Sequence, residues 1–424
     1  MKLYFNIDMF ATHPAGIVRY ANEILQYLKL HFEVIPVSFR DGLSNAPLRG
    51  FIEREFPEYR FRANHYILRG LGISAPPLFF ISSFNFHNAR WKRQGCRVSK
   101  IIRELIRPFM KIETVLSDFL CFKYDDRSVL FSPYEAIPKR YRSDKVLIVQ
   151  MLHDLIPLRM EGVFNGSKFF APIVESVLSS DIALVNSAFT RDDFLNYVKN
   201  FDTNRLFVTE LATARHISRV ECAERISKVR NKYGISSEAE YILSLSTIEP
   251  RKNHKSLLHA WNKIFPLIED KKIQLVFAGK KGWGEEFHSE LSDLAKDANS
   301  LVLTGFVDDE DLGDLYSGSL FSVYPSLYEG FGLPVLESMS CGRFCVASNC
   351  TSIPEVVGEN LPMVNPESVD EIAGMMLCLI CDRSLLDSYN KQAFENSRRF
   401  SWEETGRKTL EAINEGYRRK FGPN

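Results

Sequence analysis

The sequence predicts an α/β protein built from two doubly wound parallel units, and three observations carry that expectation. The chain has 424 residues, more than one ordinary core accommodates, and two Rossmann-sized units would use it up. Its second half repeats apolar, β-favouring runs at Tyr241–Leu245, Ile273–Ala278, Leu301–Thr304, Phe321–Tyr324 and Phe344–Ala347, separated by amphipathic runs of helix length. That is the pattern of a parallel sheet wound with helices. The beginning does the same on a smaller scale. A strand over Lys2–Ile7, a loop over Asp8–Ala15 and a helix from near Gly16 with apolar residues at helical spacing open the chain as a Rossmann half opens.

Charge and composition narrow the function classes. Lys+Arg and Asp+Glu number 53 each, so the chain lacks the global positive bias of a nucleic-acid binder. A 45% hydrophobic, 12% aromatic composition is that of a globular enzyme. The opening MKLYFNIDMF is interrupted by Asn6 and Asp8, and no apolar run reaches the ~18 residues of a membrane span, so neither a classical secretory signal nor a spanning helix is expected. The eight cysteines are irregularly spaced, and Cys378 and Cys381 form a single C-x-x-C inside the apolar run AGMMLCLICD. Core packing, rather than zinc or redox chemistry, is expected of that pair. A reducing cytoplasm fits such cysteine usage.

Along the first half, a second strand at Phe32–Ser38 leads into an irregular region, residues 40–127, rich in Arg, Phe and Pro. Within it Asn88–Ile112 carries eight Lys/Arg and one acid, and from Val98 to Met110 its apolar residues fall on one helical face. Two readings are open: a helix packed on its own domain with a solvated basic face, or a surface that docks on anionic lipid through 97–110. Ser128–Pro133 and Lys145–Met151 read as strands, and the second ends in HDLIPLR. His153 and Asp154 therefore lie beyond a strand's carboxyl end, where open parallel sheets bind ligands. A helix over Ser167–Ser179, a strand over Ile182–Val185 and the turn Asn186–Thr190, with Ser187 as N-cap, lead to a short strand at Leu206–Leu211. Residues 212–238 are polar and without strand pattern, and read as the connection between domains.

In the second half the chemistry lies in the loops that follow the strands. STIEPRKNH places Arg251 and Lys252 just before a helix that begins near His254. Two cations at a helix N-terminus suit a pyrophosphate, the Arg as a planar fork and the Lys as a point charge, unless they are a solvated loop pair. The loop GKKGWGEE brings Lys280, Lys281 and three glycines. Asp309-Glu310-Asp311 reads as an acidic helix start that complements the dipole, not as a metal site. The run Leu320–Glu337, LFSVYPSLYEGFGLPVLE, breaks at Pro325-Ser326, turns through Gly330 and Gly332 and restarts as a helix at Pro334, with Glu329 and Glu337 on either side of the turn. Such a junction offers backbone N–H groups to a phosphate and carboxylates to hydroxyls, or it is an ordinary turn with surface acids. Helices at 368–382 and 384–398, then Phe400-Ser401-Trp402-Glu403 and a polar helix to Arg419, close the chain.

Glu329-Gly-Phe-Gly-Leu-Pro-x-x-Glu337, with Gly342 and Pro354-Glu355 beyond it, resembles the E-x7-E signature of the retaining, nucleotide-sugar-dependent glycosyltransferases of family GT4. The resemblance covers about residues 235–400 and extends more weakly over the N-terminal half. It implies the GT-B fold, two Rossmann-like domains facing a central cleft. Residues 1–212 would bind the acceptor and 213–400 the nucleotide sugar, with the helix at 401–424 packing back on the first domain. The resemblance implies roles for individual residues as well. Arg251, Lys252 and the turn Gly330, Phe331, Gly332 and Leu333 would meet the donor diphosphate, and Glu337 the ribose. Glu329 and His153 would hold the donor sugar's hydroxyls at the reacting centre, Phe306 and Val307 of the G-F-V segment would read the base edge, and Gly16 would lie beside the diphosphate.

The chain departs from the family in two places. Ser246-Thr247 stands where many members have Gly-Arg, and Ala15 replaces the first of two paired glycines. The family implies no required metal and no cofactor beyond the nucleotide sugar as substrate. The TIEPRKN variant resembles bacterial surface-polysaccharide mannosyltransferases. GDP-mannose is then the first donor expected, a UDP- or dTDP-sugar the second, and O-antigen or capsule synthesis in the cytoplasm, at the inner face of the membrane, the setting. The acceptor would be a glycan or lipid-linked glycan. A sugar-nucleotide 2-epimerase on the same fold and a non-catalytic polysaccharide-assembly partner remain open as alternatives.

Overall fold

The computed structural model describes residues 1–11, 15–37, 39, 51, 54–56, 124–160, 167–296, 298 and 300–423. The basic stretch Asn88–Ile112, and with it the expected lipid contact at 97–110, lies outside the described residues. Among the described residues no helix is long and apolar enough to cross a membrane. The chain divides into two compact units. One comprises Met1–Leu152, Ala171–Ala183 and Leu410–Asn424, the other His153–Phe170 and Leu184–Thr409.

The first half runs β1 (Lys2–Asn6), α1 (Ala15–Leu28), β2 (Glu33–Val37), β3 (Ser128–Ser132), β4 (Val146–Leu152), α2 (Ile156–Arg159), α3 (Ser167–Leu178), β5 (Ile182–Val185), α4 (Ala188–Tyr197) and β6 (Leu206–Val208). Their sheet has the order β2-β1-β3-β4-β5-β6, with β1 parallel to β2 and β3, and β3 parallel to β4. The central strands β3 and β4 are buried at every position. Strands covered on both faces favour apolar side chains, so these two read as near-continuous apolar runs without alternation, interrupted by the buried Ser128, Ser132 and Gln150. In the first unit the far end of the chain is tied to this sheet: Lys420 Nζ donates to Asp181 Oδ2 at 2.7 Å and to the Val146 carbonyl at 2.8 Å.

The second half runs α5 (Ala223–Lys232), β7 (Glu240–Leu245), α6 (His254–Ile268), β8 (Ile273–Ala278), α7 (Glu285–Lys296), β9 (Leu301–Gly305), α8 (Leu312–Gly318), β10 (Ser322–Tyr324), α9 (Leu333–Ser340), β11 (Cys345–Ala347), α10 (Ile353–Val357), α11 (Val369–Cys381), α12 (Arg383–Ser397) and α13 (Trp402–Phe421). Its five strands form a parallel sheet of order β11-β10-β7-β8-β9. The chain steps from β7 outward to β9, then returns to the other side of β7 for β10 and β11. Winding direction therefore reverses between β7 and β10, and ligands of such sheets bind in the crevice at that switch, beyond the strands' carboxyl ends.

Two expectations are corrected here. Residues 212–238, read as an unpatterned connection, contain α5. That helix buries Val229 among largely exposed polar residues, so it carries no apolar stripe by which periodicity could reveal it. Cys378 and Cys381, expected in the core, are exposed. Helix α11 buries Ile372, Ala373, Met376, Leu379 and Ile380, and positions 378 and 381 fall off that stripe.

Candidate functional site

Two loops leave the switch point. The first follows β7. Pro250–Lys252 make one 3-10 turn, and Asn253, at φ 59°, ends it in the left-handed region before α6 starts at His254. Asn tolerates that conformation better than most residues, and its Nδ2 donates to the Pro366 carbonyl at 2.7 Å. The second loop follows β10 and carries Ser326 to Gly332. Its main chain is bonded at almost every step. Leu327 N–H donates to the Arg251 carbonyl (2.9 Å), Glu329 N–H to Thr351 Oγ1 (3.2 Å), Ser348 Oγ to the Ser326 carbonyl (2.7 Å) and Ser352 Oγ to the Glu329 carbonyl (3.0 Å). The Gly330 carbonyl accepts from both Ser187 Oγ (2.6 Å) and Thr190 Oγ1 (3.0 Å). Ser187 is also the N-cap of α4, accepting from Thr190 N–H. A loop whose polar backbone is satisfied in this way holds its side chains in fixed positions.

Glycine is required at two points of that loop. Gly332, at φ 109°, turns the chain into α9, a conformation L side chains rarely adopt. Gly330 lies directly against the strand-end segment after β4: a Cβ there would press into the His153 carbonyl oxygen and come within 2.7 Å of Asp154 Cβ.

Between the loops lies a nearly buried cluster of charges. Glu329 Oε1 receives Lys252 Nζ at 2.7 Å, Arg251 Nη1 at 2.8 Å, Tyr324 OH at 2.8 Å and Ser326 Oγ at 2.6 Å. Arg251 turns the rest of its fork to Glu249 Oε1, with Nε at 3.1 Å and Nη2 at 2.7 Å, and Nη1 also donates to the Tyr328 carbonyl at 2.7 Å. The side chains of Arg251, Lys252, Glu249 and Glu329 are only 9–11% exposed.

Burial alone would raise the Glu329 pKa, but Arg251 and then Lys252 overcome it and hold the carboxyl at about 2. For Lys252, burial and the neighbouring Arg251 outweigh Glu329 and push the ammonium down. Arg251 is held firmly charged by Glu329, Tyr324 and Glu249 against its own burial. Asp154 belongs to the same neighbourhood: removal from water raises its carboxyl, with the Ile156 N–H and Arg251 opposing. His254, behind the cluster, is pushed down to about 3 by burial and then by Lys252. It is a neutral ring packed on Phe277.

These shifts give a pH prediction. A carboxyl held at about 2 in the fold, against an ordinary 4.5, contributes stability that is fully present above about pH 4.5 and lost as pH falls through 2. Its size is of order 3 kcal/mol. The Glu329→Gln chain is expected to lose less stability than wild type between pH 4.5 and 2 in denaturant melts. Parallel pH profiles for the two would reject the assignment of that stability to Glu329.

The structure gathers several of the expected site residues at the switch: Arg251, Lys252, Glu329, Gly330, Phe331, Gly332 and Leu333, with His153 brought against Gly330 by its main chain. Glu337 lies one helix turn further in α9, 4% exposed, accepting from Tyr316 OH at 3.1 Å. Phe306 and Val307 follow β9 at the edge of the sheet, Phe306 with 62% of its surface exposed and Val307 buried. Gly16 is the second residue of α1, in the first unit. Glu249 was not foreseen: a single acid two places before two cations reads as solvated, and only the fold shows it enclosed. Asp311, of the Asp-x-Asp run, is engaged by Lys232 and Tyr233 OH, and among the described residues no group of three or more His, Cys, Asp or Glu side chains could hold a metal ion.

Residues 225–396 match the family described as glycosyl transferases group 1. The second unit carries a group 1 domain. The chain is 34% identical over 238 residues, 56% of its length and 61% of the relative's, to "O-antigen chain mannosyltransferase B" of Escherichia coli. It is 33% identical over 274 residues, 62% of its length and 33% of the relative's, to "Serotype-specific mannosyltransferase WbdA" of the same organism. These matches span under two thirds of either relative. Among solved structures, Anabaena HepE in complex with UDP and glucose superposes with a TM-score of 0.65 at 16% identity, covering 98% of this chain and 99% of that one. WaaG, a glycosyltransferase involved in lipopolysaccharide biosynthesis, does so with 0.61 at 11% identity, covering 99% and 100%. At such identities the likeness speaks for the fold, which is GT-B. The group 1 domain's cation turn and glutamate turn are the two loops at the switch of its sheet.

Proposed function

We propose that the chain is a retaining glycosyltransferase that moves mannose from GDP-mannose onto a growing glycan in bacterial surface-polysaccharide synthesis. The observation that carries the reading is the buried Arg251–Lys252–Glu329 cluster at the sheet switch of a group 1 domain. Transfer from a nucleoside diphosphate sugar must stabilise a departing diphosphate and a cationic sugar, and preorganised charge in a water-poor site does this most effectively. Arg251, Lys252 and the N–H groups entering α9 receive the diphosphate. Glu329 and His153 hold the sugar, Glu337 the ribose and the Phe306–Val307 main chain the base. Both Escherichia coli relatives are named as mannosyltransferases, which favours mannose over the UDP- or dTDP-sugar alternatives. In this reading the enzyme is cytoplasmic, and the 97–110 stretch rests on anionic lipid beside a lipid-linked acceptor.

The test is incubation with GDP-mannose, UDP-glucose and dTDP-sugars and a glycan acceptor, with product anomeric configuration read by NMR. Transfer from GDP-mannose with the donor's configuration is expected. Release of free nucleotide and an epimerised sugar without acceptor would instead make the chain a 2-epimerase, and no turnover of any donor would leave a non-catalytic assembly partner.

The reading also predicts metal independence. Because two cations and a helix terminus meet the leaving charge, a chelator should leave activity within about twofold, the scale of weak ionic effects. Loss of activity in EDTA, restored by Mn²⁺, would overturn it and bring Asp309 and Asp311 forward.

A further inference from the structure

Glu249 has no place in the chemistry above, yet it occupies the hardest place to put an acid. It is 8% exposed and lies two residues before the guanidinium that would grip a diphosphate. Its Oε1 takes two of the donors of Arg251. Gly282 packs against it: a Cβ at that position would come 2.7 Å from Thr247 Cγ2 and 3.1 Å from both Cβ and Oε2 of Glu249. The surrounding backbone is closed, with Gly282 N–H donating to the Ile248 carbonyl (2.9 Å) and Ile248 N–H to the Lys280 carbonyl (3.0 Å). Arg251 and Lys252 thus face Glu249 and Glu329, two cations against two anions. These four side chains, Glu249, Arg251 and Lys252 of one loop and Glu329 of the other, sum to no net charge.

We propose that Glu249 is a built-in counter-anion that competes with the diphosphate for Arg251, and so limits how tightly the nucleoside diphosphate product is held. The inference rests on the reading that Arg251 and Lys252 receive a diphosphate. Cleavage of the sugar bond leaves that diphosphate with one more negative charge than it had in the donor. Two buried cations without a competing anion would stabilise this product more than the donor, and a product bound too tightly limits turnover through its release. A carboxylate fixed against the guanidinium opposes that gain. It also keeps the arginine fork aligned while the site is empty, because the ion pair re-forms as the diphosphate leaves.

The experiment is calorimetric titration of GDP, UDP and dTDP into wild type and Glu249→Gln, with steady-state kinetics on the nucleotide sugar that wild type uses. Glutamine keeps an oxygen that accepts from Arg251 and removes the charge. The expected result for E249Q is about tenfold tighter binding of the nucleoside diphosphate, the effect of deleting one unit charge beside it in a partly buried site. The donor KM should fall by less than the product dissociation constant, and kcat should fall with it as release slows. If Glu249 only orients the arginine, E249Q would bind the diphosphate equally or more weakly, and that outcome overturns the proposal. Should E249Q fail to fold, Glu249→Asp withdraws the carboxylate by one methylene and is expected to tighten binding about threefold by the same electrostatics; unchanged or weaker binding there is equally fatal. Wild type that binds none of the three diphosphates would bring down the transferase reading itself, and the inference with it.

Discussion

Replacing Lys252 with alanine is expected to lower kcat/KM for the nucleotide sugar by a factor of about a hundred or more, with the fold retained. The ammonium is one of two cations at the switch of the second sheet, and its partner Arg251 is already shared with Glu249, Glu329 and the Tyr328 carbonyl. No other cation is bonded to Glu329 among the described residues, so nothing stands ready to take over from Lys252. Loss of one preorganised electrostatic contact to a developing anion costs about 2–4 kcal/mol in the barrier. Folding should survive, because Glu329 keeps Arg251, Tyr324 and Ser326. Glu337→Ala is expected to act on the same scale through the ribose. The check is steady-state kinetics beside circular dichroism and thermal melts. A K252A chain that melts like wild type and turns over at near-wild-type efficiency would remove the cluster from the donor site.

Gly330→Ala is expected to have the largest effect on stability. The new Cβ would collide with the His153 carbonyl oxygen and the Asp154 Cβ. Both belong to the segment that leaves β4, so the clash cannot be relieved by rotating a flexible side-chain end. The segment and the turn must separate, which pulls the Gly330 carbonyl away from the hydroxyls of Ser187 and Thr190. Overpacking of this kind costs about 1–3 kcal/mol, and each lost hydrogen bond adds about 1 kcal/mol. The sum, about 3–5 kcal/mol, lowers the melting transition by about 10 °C for a unit of this size. Scanning calorimetry reads it directly. A G330A chain with the wild-type transition and the wild-type donor KM would show that the close approach of the two segments is not needed.

Much of this site was legible in the amino-acid order because it lies on junctions whose residue types are dictated locally. Ile182–Val185 and Ile273–Ala278 are strands between the very residues that their apolar runs mark, and Ser187 caps α4 by accepting from the Thr190 N–H, as a serine at a helix start does. Gly330 and Gly332 are glycines because a close approach and a positive φ leave no alternative. What was not legible depends on partners far along the chain. Helix α5 is held by packing rather than by a stripe, so its residues look like a linker. Cys378 and Cys381 sit in a run that is apolar all round, and only the position of the neighbouring helices decides which side faces water. Glu249 becomes meaningful only when Gly282, thirty-three positions later, is seen to pack against it. The Asp154 carboxyl, likewise, is raised by burial while charges from the loops after two other strands pull on it in both directions, Arg251 and Lys252 downward and Glu329 upward.

Asn253 ties the cation turn to a segment more than a hundred residues away, through its left-handed backbone and its amide on the Pro366 carbonyl. That segment in turn is hung on the sheet, since Val364 N–H donates to the Ala347 carbonyl at 3.0 Å. For loop grafting between relatives, residues 249–254 are therefore not a portable cassette. Transplanted alone, the turn would arrive without the acceptor that fixes its handedness, and Arg251 and Lys252 would splay. The smallest transferable piece is two strips of chain, 249–254 together with 364–368, and a chimera that respects that pairing keeps its grip on both cations.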